Sequence, residues 1–242
     1  MFLGVDEAGR GPVLGPLVVG GLVSGDQEGL RKIGVRDSKE LSSDRRGALH
    51  QHLVLTHYHC VLILPAPTID RMRRRMTLNE IEVVCFSSVI LSLLLNREFI
   101  HPSIEGDVDI SLGGERIEIR RILMDAADVD ESRFGESILE EVARFSDIGG
   151  IGILSKHKAD RDHPVVGAAS ILAKVTRDRR IREISNEAGV DIGSGYPSDP
   201  ITREFLMGYL RRKGSLPPFA RSSWETCRKM VAEASQKTLL DF

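Results

Sequence analysis

The chain has 242 residues, of which 41% are hydrophobic and 28% are charged, and its formal net charge is −2. This length suits one sizeable domain, or one domain with a small helical appendage, around a substantial core. Because the net charge is slightly negative, the protein as a whole does not attract nucleic acid electrostatically. Such a function would require a local basic surface, or metal ions that offset the phosphates.

Strands are predicted to dominate the first part of the chain. Residues 2–5 form a short apolar run that ends at a polar turn. Residues 13–23 are rich in Val, Gly and Leu, which is typical of a central strand or a hairpin. The alternation over residues 52–64 predicts a further strand. Thr77 or Asn79 then caps a long helix.

Strands and helices are predicted to alternate after residue 100. The polar segment 103–118 contains glycine and is predicted to be an excursion between elements. The elements predicted after it are, in order, a strand at 117–124, a helix at 131–146, a strand at 151–156, a long helix at 165–184 and mostly helix from Pro200 onward. This order favours an α/β fold, with a mixed sheet flanked by helices and a helical C-terminal part.

Three features predict the cellular location. Residues 1–5 lack the basic start and the unbroken apolar stretch of a signal peptide. The longest apolar run, 83–95, is too short to span a bilayer and predicts a buried core helix. Cys60, Cys85 and Cys227 are odd in number and widely spaced, so we expect reduced thiols. We therefore expect a cytoplasmic protein with no membrane partner and, since no oligomerisation signature occurs, a monomer.

Two adjacent carboxylates, Asp6 and Glu7, follow the first apolar run. Burying such a pair is unfavourable unless an arginine or a divalent cation neutralises it. Gly9, Arg10 and Gly11 come next, and the two glycines let the backbone approach a sugar or a phosphate closely. A turn with an N-capping acid and a surface arginine is the plainer interpretation. The glycine spacing excludes a dinucleotide-binding motif and a P-loop.

A third carboxylate, Asp125, ends the strand predicted before it. Asp128 and Asp130 lie beyond it, near the start of a helix, and we assign both to helix capping. Their spacing does not match an EF-hand loop, which also needs a central glycine and a distal glutamate. Asp125 is therefore the residue of this group that we expect in a cluster of acids.

A fourth acid, Asp160, precedes a basic helix face. On the helix that follows it, Gly167, Ser170, Lys174 and Arg177 are spaced by three, four and three residues, so they share one face. This face suits contact with a phosphate backbone, although a solvated basic face is equally consistent with the spacing. The carboxylates near the start of the helix favour the functional interpretation.

The four acids together form a site of hard oxygen ligands, which favours Mg²⁺ or Mn²⁺ over zinc. Such a site can hold two ions that activate water and stabilise the leaving oxygen of a phosphodiester. His57 and His59 could suggest zinc, but no partner ligands lie near them in the sequence. Tyr196, amid turn residues, could stack on a sugar or a base, although an isolated loop tyrosine is more often a packing anchor.

The final seven residues place Gln236, Leu239 and Phe242 at positions one, four and seven. On a helical turn these side chains form a small polar and apolar plug for a groove on a partner. A frayed terminus that happens to be apolar is the alternative interpretation.

Taken together, these motifs resemble ribonuclease HII, a type 2 ribonuclease H, in its archaeal-type single-subunit form. The Asp-Glu-Ala-Gly-Arg-Gly run from Asp6 and the Ala-Ala-Ser-Ile-Leu-Ala-Lys run that ends at Lys174 form a highly specific combination. Further matches lie, in the family's order, at residues 37–39, 125–129, 133–134, 157–160 and 193–200.

The resemblance implies a ribonuclease H-like catalytic domain at residues 1–195, a helical C-terminal part at 196–235 packed on it and a clamp-binding motif at 236–242. It implies an endonuclease that hydrolyses the RNA strand of RNA–DNA hybrids and nicks 5′ of ribonucleotides embedded in DNA. The products would carry 5′-phosphate and 3′-hydroxyl ends.

The resemblance also assigns roles to residues. Asp6, Glu7, Asp125 and Asp160 would be catalytic and would bind Mg²⁺ or Mn²⁺, with Asp6 bridging two ions and Asp160 as a mobile fourth acid. The backbone of residues 9–11 would read the ribose 2′-OH. The side chains and loops that would bind the substrate are those of Gly9, Arg10, Gly11, Lys39, Lys158, Ser170, Lys174, Arg177 and Tyr196.

The residues Gln236, Leu239 and Phe242 resemble the box by which replication and repair proteins bind a sliding clamp, with one aromatic residue where two are common.

Three functions other than this nuclease remain as alternatives. The glycine-flanked arginine argues against an enzyme that cuts DNA alone. The presence of all four acids argues against a catalytically inactive hybrid-binding module tethered to a clamp. A structural clamp adaptor would bind the clamp with no hydrolysis.

Overall fold

A mixed β-sheet forms the centre of the fold. The computed structural model describes residues 1–35 and 41–240, the last five of these by their backbone alone. The strands in this part of the chain are Phe2–Ala8 (β1), Leu17–Ser24 (β2), Tyr58–Leu64 (β3), Asp109–Gly113 (β4), Arg121–Asp125 (β5) and Gly152–Lys156 (β6). Their order in the sheet is β4-β3-β2-β1-β5-β6. β1 pairs antiparallel with β2 and parallel with β5, so the sheet changes from antiparallel to parallel at β1.

Helices cover both faces of the sheet. They are Gln27–Lys32 (α1), Ser43–Thr56 (α2), Ala66–Met72 (α3), Leu78–Leu95 (α4), Glu131–Ala143 (α5), Ala159–Asp162 (α6), Pro164–Ala188 (α7), Pro200–Lys213 (α8) and Glu225–Leu240 (α9). One core joins α4 and α5 to Val5 and Val19, and a second joins α1, α2 and α7 to Val18 and Leu22. Neighbouring residues of each strand therefore face different cores, as the pleat requires.

Helix α4 is the buried core helix that the apolar run predicts. Its cap, Thr77, accepts a hydrogen bond from the backbone N–H of Glu80, and the Glu80 side chain accepts one from the backbone N–H of Thr77, which forms a capping box. The helix is long and apolar enough to cross a membrane by length and composition. However, 12 of its 18 residues are buried within the fold. The three cysteines are free thiols and are likewise buried.

The C-terminal helices pack on the connection between β1 and β2. Val13 and Leu14 of that connection share an apolar cluster with residues of α8, α9 and the C-terminal half of α7. Leu14 forms a β-bridge with Ala220. The backbone N–H of Arg221 donates to the Val13 carbonyl at 2.8 Å. The end of the chain thus contacts the turn that follows β1.

Two sequence predictions about elements were wrong. Within the predicted strand 52–64, only β3 is extended, and the preceding residues complete α2. Leu49 and Leu53 lie one helical turn apart and are both buried, so helical burial outweighs the alternation that the sequence shows. The segment 103–118 contains the edge strand β4, which pairs antiparallel with β3.

Gly4 allows α7 to lie directly against β1, and this contact is testable. A Cβ atom at Gly4 would lie 2.2 Å from the carbonyl oxygen of Val165. Gly4→Ala is expected to lower the free energy of unfolding by at least about 2 kcal/mol, because the helix backbone has to move away. Gly47→Ala in α2, where a Cβ would meet nothing within 4 Å, should instead stabilise by about 0.5–1 kcal/mol. Denaturant midpoints measure both effects, and equal midpoints for the two variants would contradict this account.

Candidate active site

Parallel strands bring three of the predicted acids to one edge of the sheet. The pairing of β1 with β5 ends at Val5 and Met124, so Asp6 and Asp125, the next residue on each strand, lie side by side. Asp160 lies in α6, which follows β6. The backbone N–H of Ala159 donates to Asp125 Oδ1 at 2.8 Å, which connects α6 to the end of β5. This end of a parallel sheet is where α/β proteins commonly bind ligands.

Asp6 and Glu7 belong to β1 itself, so the interpretation of this pair as part of a surface turn is wrong. Successive strand residues point to opposite faces of a sheet. Asp6 lies on the α7 side and is hydrogen bonded to the Ser170 side chain. Glu7 lies where the charges of Arg10, Lys174 and Arg221 reach it.

Burial raises the pKa of three of these carboxyl groups. The pKa of Asp6 lies well above its usual range because the group is desolvated, and the neighbouring charges of Asp125 and Glu7 add to this effect. Burial also raises the pKa of Glu7, against the opposing charge of Arg10. Burial raises the pKa of Asp125, although its hydrogen bond from Ala159 opposes the shift. The cluster therefore favours bound protons or a bound cation.

The donor chemistry of the cluster fits a hard divalent cation. All four predicted acids line one pocket and offer only carboxylate oxygens. Glu7 Oε2 is buried and accepts no hydrogen bond from the residues that the structure describes. Within those residues, however, no three acidic, histidine or cysteine side chains stand close enough to form a finished metal cage. The pocket thus contains suitable carboxylate ligands and one unsatisfied oxygen, but the carboxylates are not close enough together to surround an ion.

The glycine loop, residues 9–11, borders the acids. Gly9 has φ +100°, and a Cβ atom there would lie 2.6 Å from the Pro16 carbonyl oxygen and 2.9 Å from Arg177 Cδ. Only glycine fits that conformation and that space. A Cβ at Gly11 would instead meet only Tyr196, at 3.7 Å, so this side of the loop faces the tyrosine ring.

The Arg10 side chain is held by a polar chain that the sequence did not reveal. Its guanidinium forms an ion pair with Glu82, a fully buried residue of α4. It also donates to Asn79 Oδ1 at 2.7 Å, and Asn79 donates to Asp128 Oδ2 at 2.8 Å. Asp128 accepts from Arg133 at 2.5 Å. Asp130 caps α5 as predicted, whereas the Asp128 side chain links Asn79 to Arg133. In the sequence, the only sign of these contacts is Glu82, an acidic residue within the apolar helix α4.

The predicted basic face of α7 is partly buried, so the solvated-face alternative is wrong. Ser170 is fully buried, and Arg177 is 5% exposed. Arg177 donates to the Ser194 carbonyl at 2.8 Å, and its guanidinium carbon lies 5.1 Å from the centre of the Tyr196 ring. Lys174 donates to Ser170 Oγ at 2.9 Å. Arg177 therefore supports Tyr196, which remains 40% exposed.

One pocket of about 420 Å³ collects most of the predicted site residues. Those that line it are Asp6, Glu7, Gly9, Arg10, Gly11, Asp125, Lys158, Asp160, Lys174, Arg177 and Tyr196, together with Arg46, Arg161 and Asp178, which the sequence did not single out. A larger cavity of about 680 Å³ lies between α4 and α5, but its Asp128 and Arg133 already pair with each other. Lys39, Phe242 and the side chains of Gln236 and Leu239 lie outside the described residues.

Known proteins match the chain over its whole length. The model of the ribonuclease HII family matches residues 3–109 and 107–227. Ribonuclease HII of Methanospirillum hungatei JF-1 is 40% identical over 242 residues, which cover 100% of both chains. The structure of a PCNA:RNase HII complex from Archaeoglobus fulgidus is similar, with 35% identity, a TM-score of 0.76 and 100% of both chains covered. Bst-RNase HIII in complex with Mn²⁺, at 21% identity and a TM-score of 0.74, covers 97% of this chain and 70% of its own, and shows the fold alone.

These likenesses define first the class and then the family. The mixed sheet with flanking helices is the ribonuclease H-like fold that the sequence predicts, and the class is that of endonucleolytic phosphodiester hydrolases. The chain belongs to the ribonuclease HII family and is thus a type 2 ribonuclease H.

Proposed function

We propose that Asp6, Glu7, Asp125 and Asp160 bind Mg²⁺ or Mn²⁺ and form the catalytic centre of this ribonuclease H. The observation that carries the proposal is the burial of like-charged carboxyl groups side by side, with their pKa values raised and one buried oxygen unsatisfied. Such a cluster gains most from a divalent ion. The Mn²⁺ complex of the fold relative Bst-RNase HIII supports a divalent ion at this fold.

The chain's own groups prepare the site for a phosphodiester. A bound divalent ion supplies activation of water and stabilisation of the leaving oxygen. Asp6 feels the charges of both Asp125 and Glu7, so these three carboxylates together would hold a bound ion. Lys174 lies beside Asp6 and Glu7 and is positioned to attract the scissile phosphate. Cleavage then leaves 5′-phosphate and 3′-hydroxyl ends.

The glycine loop selects the substrate in this proposal. Glu82 and Asn79 hold the Arg10 guanidinium, so the main chain is the part of the loop that is left to meet a sugar. Backbone N–H and C=O groups can distinguish a 2′-OH from hydrogen. Tyr196, supported by Arg177, packs on the neighbouring sugar. The enzyme therefore cuts the RNA strand of hybrids and nicks 5′ of single ribonucleotides in DNA.

The phosphate backbone meets cationic side chains around the pocket. Lys158 and Lys174 line it, and Arg46 and Arg161 add to the residues predicted from the sequence. Lys39 stays a predicted contact from the sequence alone. Four or five such contacts make binding strongly dependent on salt, as is usual for nucleic-acid backbones.

A sliding clamp is the proposed protein partner. The ribonuclease HII of Archaeoglobus fulgidus is known in a complex with PCNA. In this chain the backbone of α9 is helical to Leu240, so Gln236 and Leu239 share one helical turn. We assign residues 236–242 to clamp binding, 196–235 to the helical part and 1–195 to the catalytic domain. The enzyme acts as a cytoplasmic monomer apart from this partner.

Asp6→Asn is expected to reduce cleavage by about a thousandfold or more, because it removes the central ligand of the cluster. The assay uses a labelled DNA duplex with one ribonucleotide, Mg²⁺ and an all-DNA duplex as the control substrate. The denaturant midpoint in chelator should not fall, because the pKa of Asp6 is already raised and asparagine removes a repulsive charge.

Asp147→Asn, at an exposed position after α5, makes the same change of charge and should retain wild-type cleavage. Retained activity in Asp6→Asn would remove Asp6 from the catalytic centre. A folded wild-type protein that binds the duplex but cuts neither strand, with Mn²⁺ also tried, would indicate the inactive hybrid-binding module instead.

Removal of residues 238–242 is expected to abolish binding to a sliding clamp, because it deletes two of the three plug residues. Calorimetry with a purified clamp measures the affinity. Cleavage of short duplexes without the clamp should stay at the wild-type rate, which serves as the control. Unchanged clamp affinity after truncation would exclude this motif as the binding element.

A further inference from the structure

Arg221, in the connection between α8 and α9, is the largest fully buried side chain of the described residues. Burial of a charged guanidinium is unfavourable unless it is paired or hydrogen bonded. Burial lowers the pKa of Arg221 to about 9, although the charges of Glu7 and Asp70 oppose this shift. Hydrogen bonds from its Nε and Nη1 hold the side chain in place, whereas its Nη2 has no hydrogen-bond partner among the described residues.

Arg221 binds the carbonyl groups of the segment that follows β1. Its Nε donates to the Gly15 carbonyl at 3.0 Å, and its Nη1 donates to the Arg10 carbonyl at 3.3 Å. Its backbone N–H donates to the Val13 carbonyl at 2.8 Å. One residue from the C-terminal part thus binds three carbonyls around and within the glycine loop.

The segment that carries Arg221 is itself fixed. Asp70 of α3 accepts hydrogen bonds from the backbone N–H groups of Ser222 and Ser223 at 2.7 and 3.0 Å. The Ser223 hydroxyl donates to the same carboxylate at 2.6 Å. The Arg221 guanidinium carbon lies 4.9 Å from the centre of the Trp224 ring, which covers it. Arg221 is therefore a rigid anchor for the glycine loop.

The bond to Arg10 has a consequence for the next amide. In a trans peptide the C=O and N–H groups point in opposite directions. Because the Arg10 carbonyl points inward to buried Arg221, the N–H of Gly11 points away from it. A cation that binds the carbonyl also polarises the amide and strengthens its N–H as a donor. Gly11 lines the pocket with the acids, so a ligand in that pocket can approach this peptide.

We propose that Arg221 is a positioning residue for ribose recognition: it holds the Arg10–Gly11 peptide so that the Gly11 N–H can donate to a 2′-oxygen. This role rests on the proposed function of the glycine loop. Arg221 touches neither substrate nor ions and acts through the loop. The electrostatic attraction between Arg221 and Glu7 supports its placement beside the site.

The test compares Arg221→Met, Arg221→Lys and the control Arg228→Met. Arg228 is an exposed residue of α9, so its variant removes the same charge without touching the loop. The measured quantity is the ratio of two dissociation constants in chelator, for a duplex with one ribonucleotide and for the same all-DNA duplex. Wild type and Arg228→Met should favour the ribonucleotide duplex equally. Arg221→Met should lose this preference by about 10-fold, as expected for the loss of about one hydrogen bond between the Gly11 N–H and the 2′-oxygen, and Arg221→Lys should retain part of it.

The same variants separate positioning from general destabilisation. With Mg²⁺, Arg221→Met should lower kcat/KM for the ribonucleotide duplex by about the same factor. Circular dichroism and the unfolding midpoint show whether it folds. If it does not, Asp70→Asn loosens the anchor from a distance and should reduce the binding ratio in the same direction.

Two results would overturn the inference in different ways. A folded Arg221→Met with the wild-type binding ratio would show that Arg221 has no part in ribose recognition, while the proposed function would stand. A wild-type ratio of one, with no preference in cleavage, would reject ribose reading by the glycine loop itself. A loss in Arg221→Met with retention in Arg228→Met supports the positioning role.

Discussion

The site depends on the burial of carboxyl groups beside one another at one end of the sheet. Asp6 is almost fully buried, and the charges of Asp125 and Glu7 add to the effect of desolvation on its pKa. Lys174 opposes the shift at both Asp6 and Glu7, but it does not reverse it. The cluster is therefore short of positive charge, and buried like charges of this kind take up protons or a cation. That shortage is the physical basis of the proposed metal-dependent cleavage.

Helix α7 connects this site to the core. It lies directly on the sheet because Gly4 and Gly20 have no side chain, and a Cβ at Gly20 would lie 2.7 Å from the Ala169 carbonyl oxygen. The next residue of the same helix, Ser170, reaches Asp6, and two turns later Arg177 supports Tyr196 and packs on the glycine loop. The packing distance between helix and sheet thus sets the positions of the groups that surround the acids.

The sequence predicted features that depend on local patterns, and it missed features that depend on distant contacts. The acids at strand ends, the capped helix α4 and the face of α7 follow from periodicity and motif spacing. The edge strand β4 was missed because its polar residues acquire their pairing only from β3. The pairing of Arg10 with Glu82, and that of the same loop with Arg221, join residues 72 and 211 positions apart. No local sequence pattern predicts such distant contacts. The only indication in the sequence is a single charged residue among apolar neighbours.

The most direct test of the central claim is the dependence of the unfolding free energy on Mn²⁺ concentration at neutral pH. If the buried acids need a cation, the wild-type protein gains stability as Mn²⁺ rises, by about 2.7 kcal/mol at 100 times the dissociation constant. Asp6→Asn, which starts from an equal or higher stability in chelator, should gain much less. A wild-type protein whose stability does not respond to Mn²⁺, or a response that Asp6→Asn retains in full, would contradict the account.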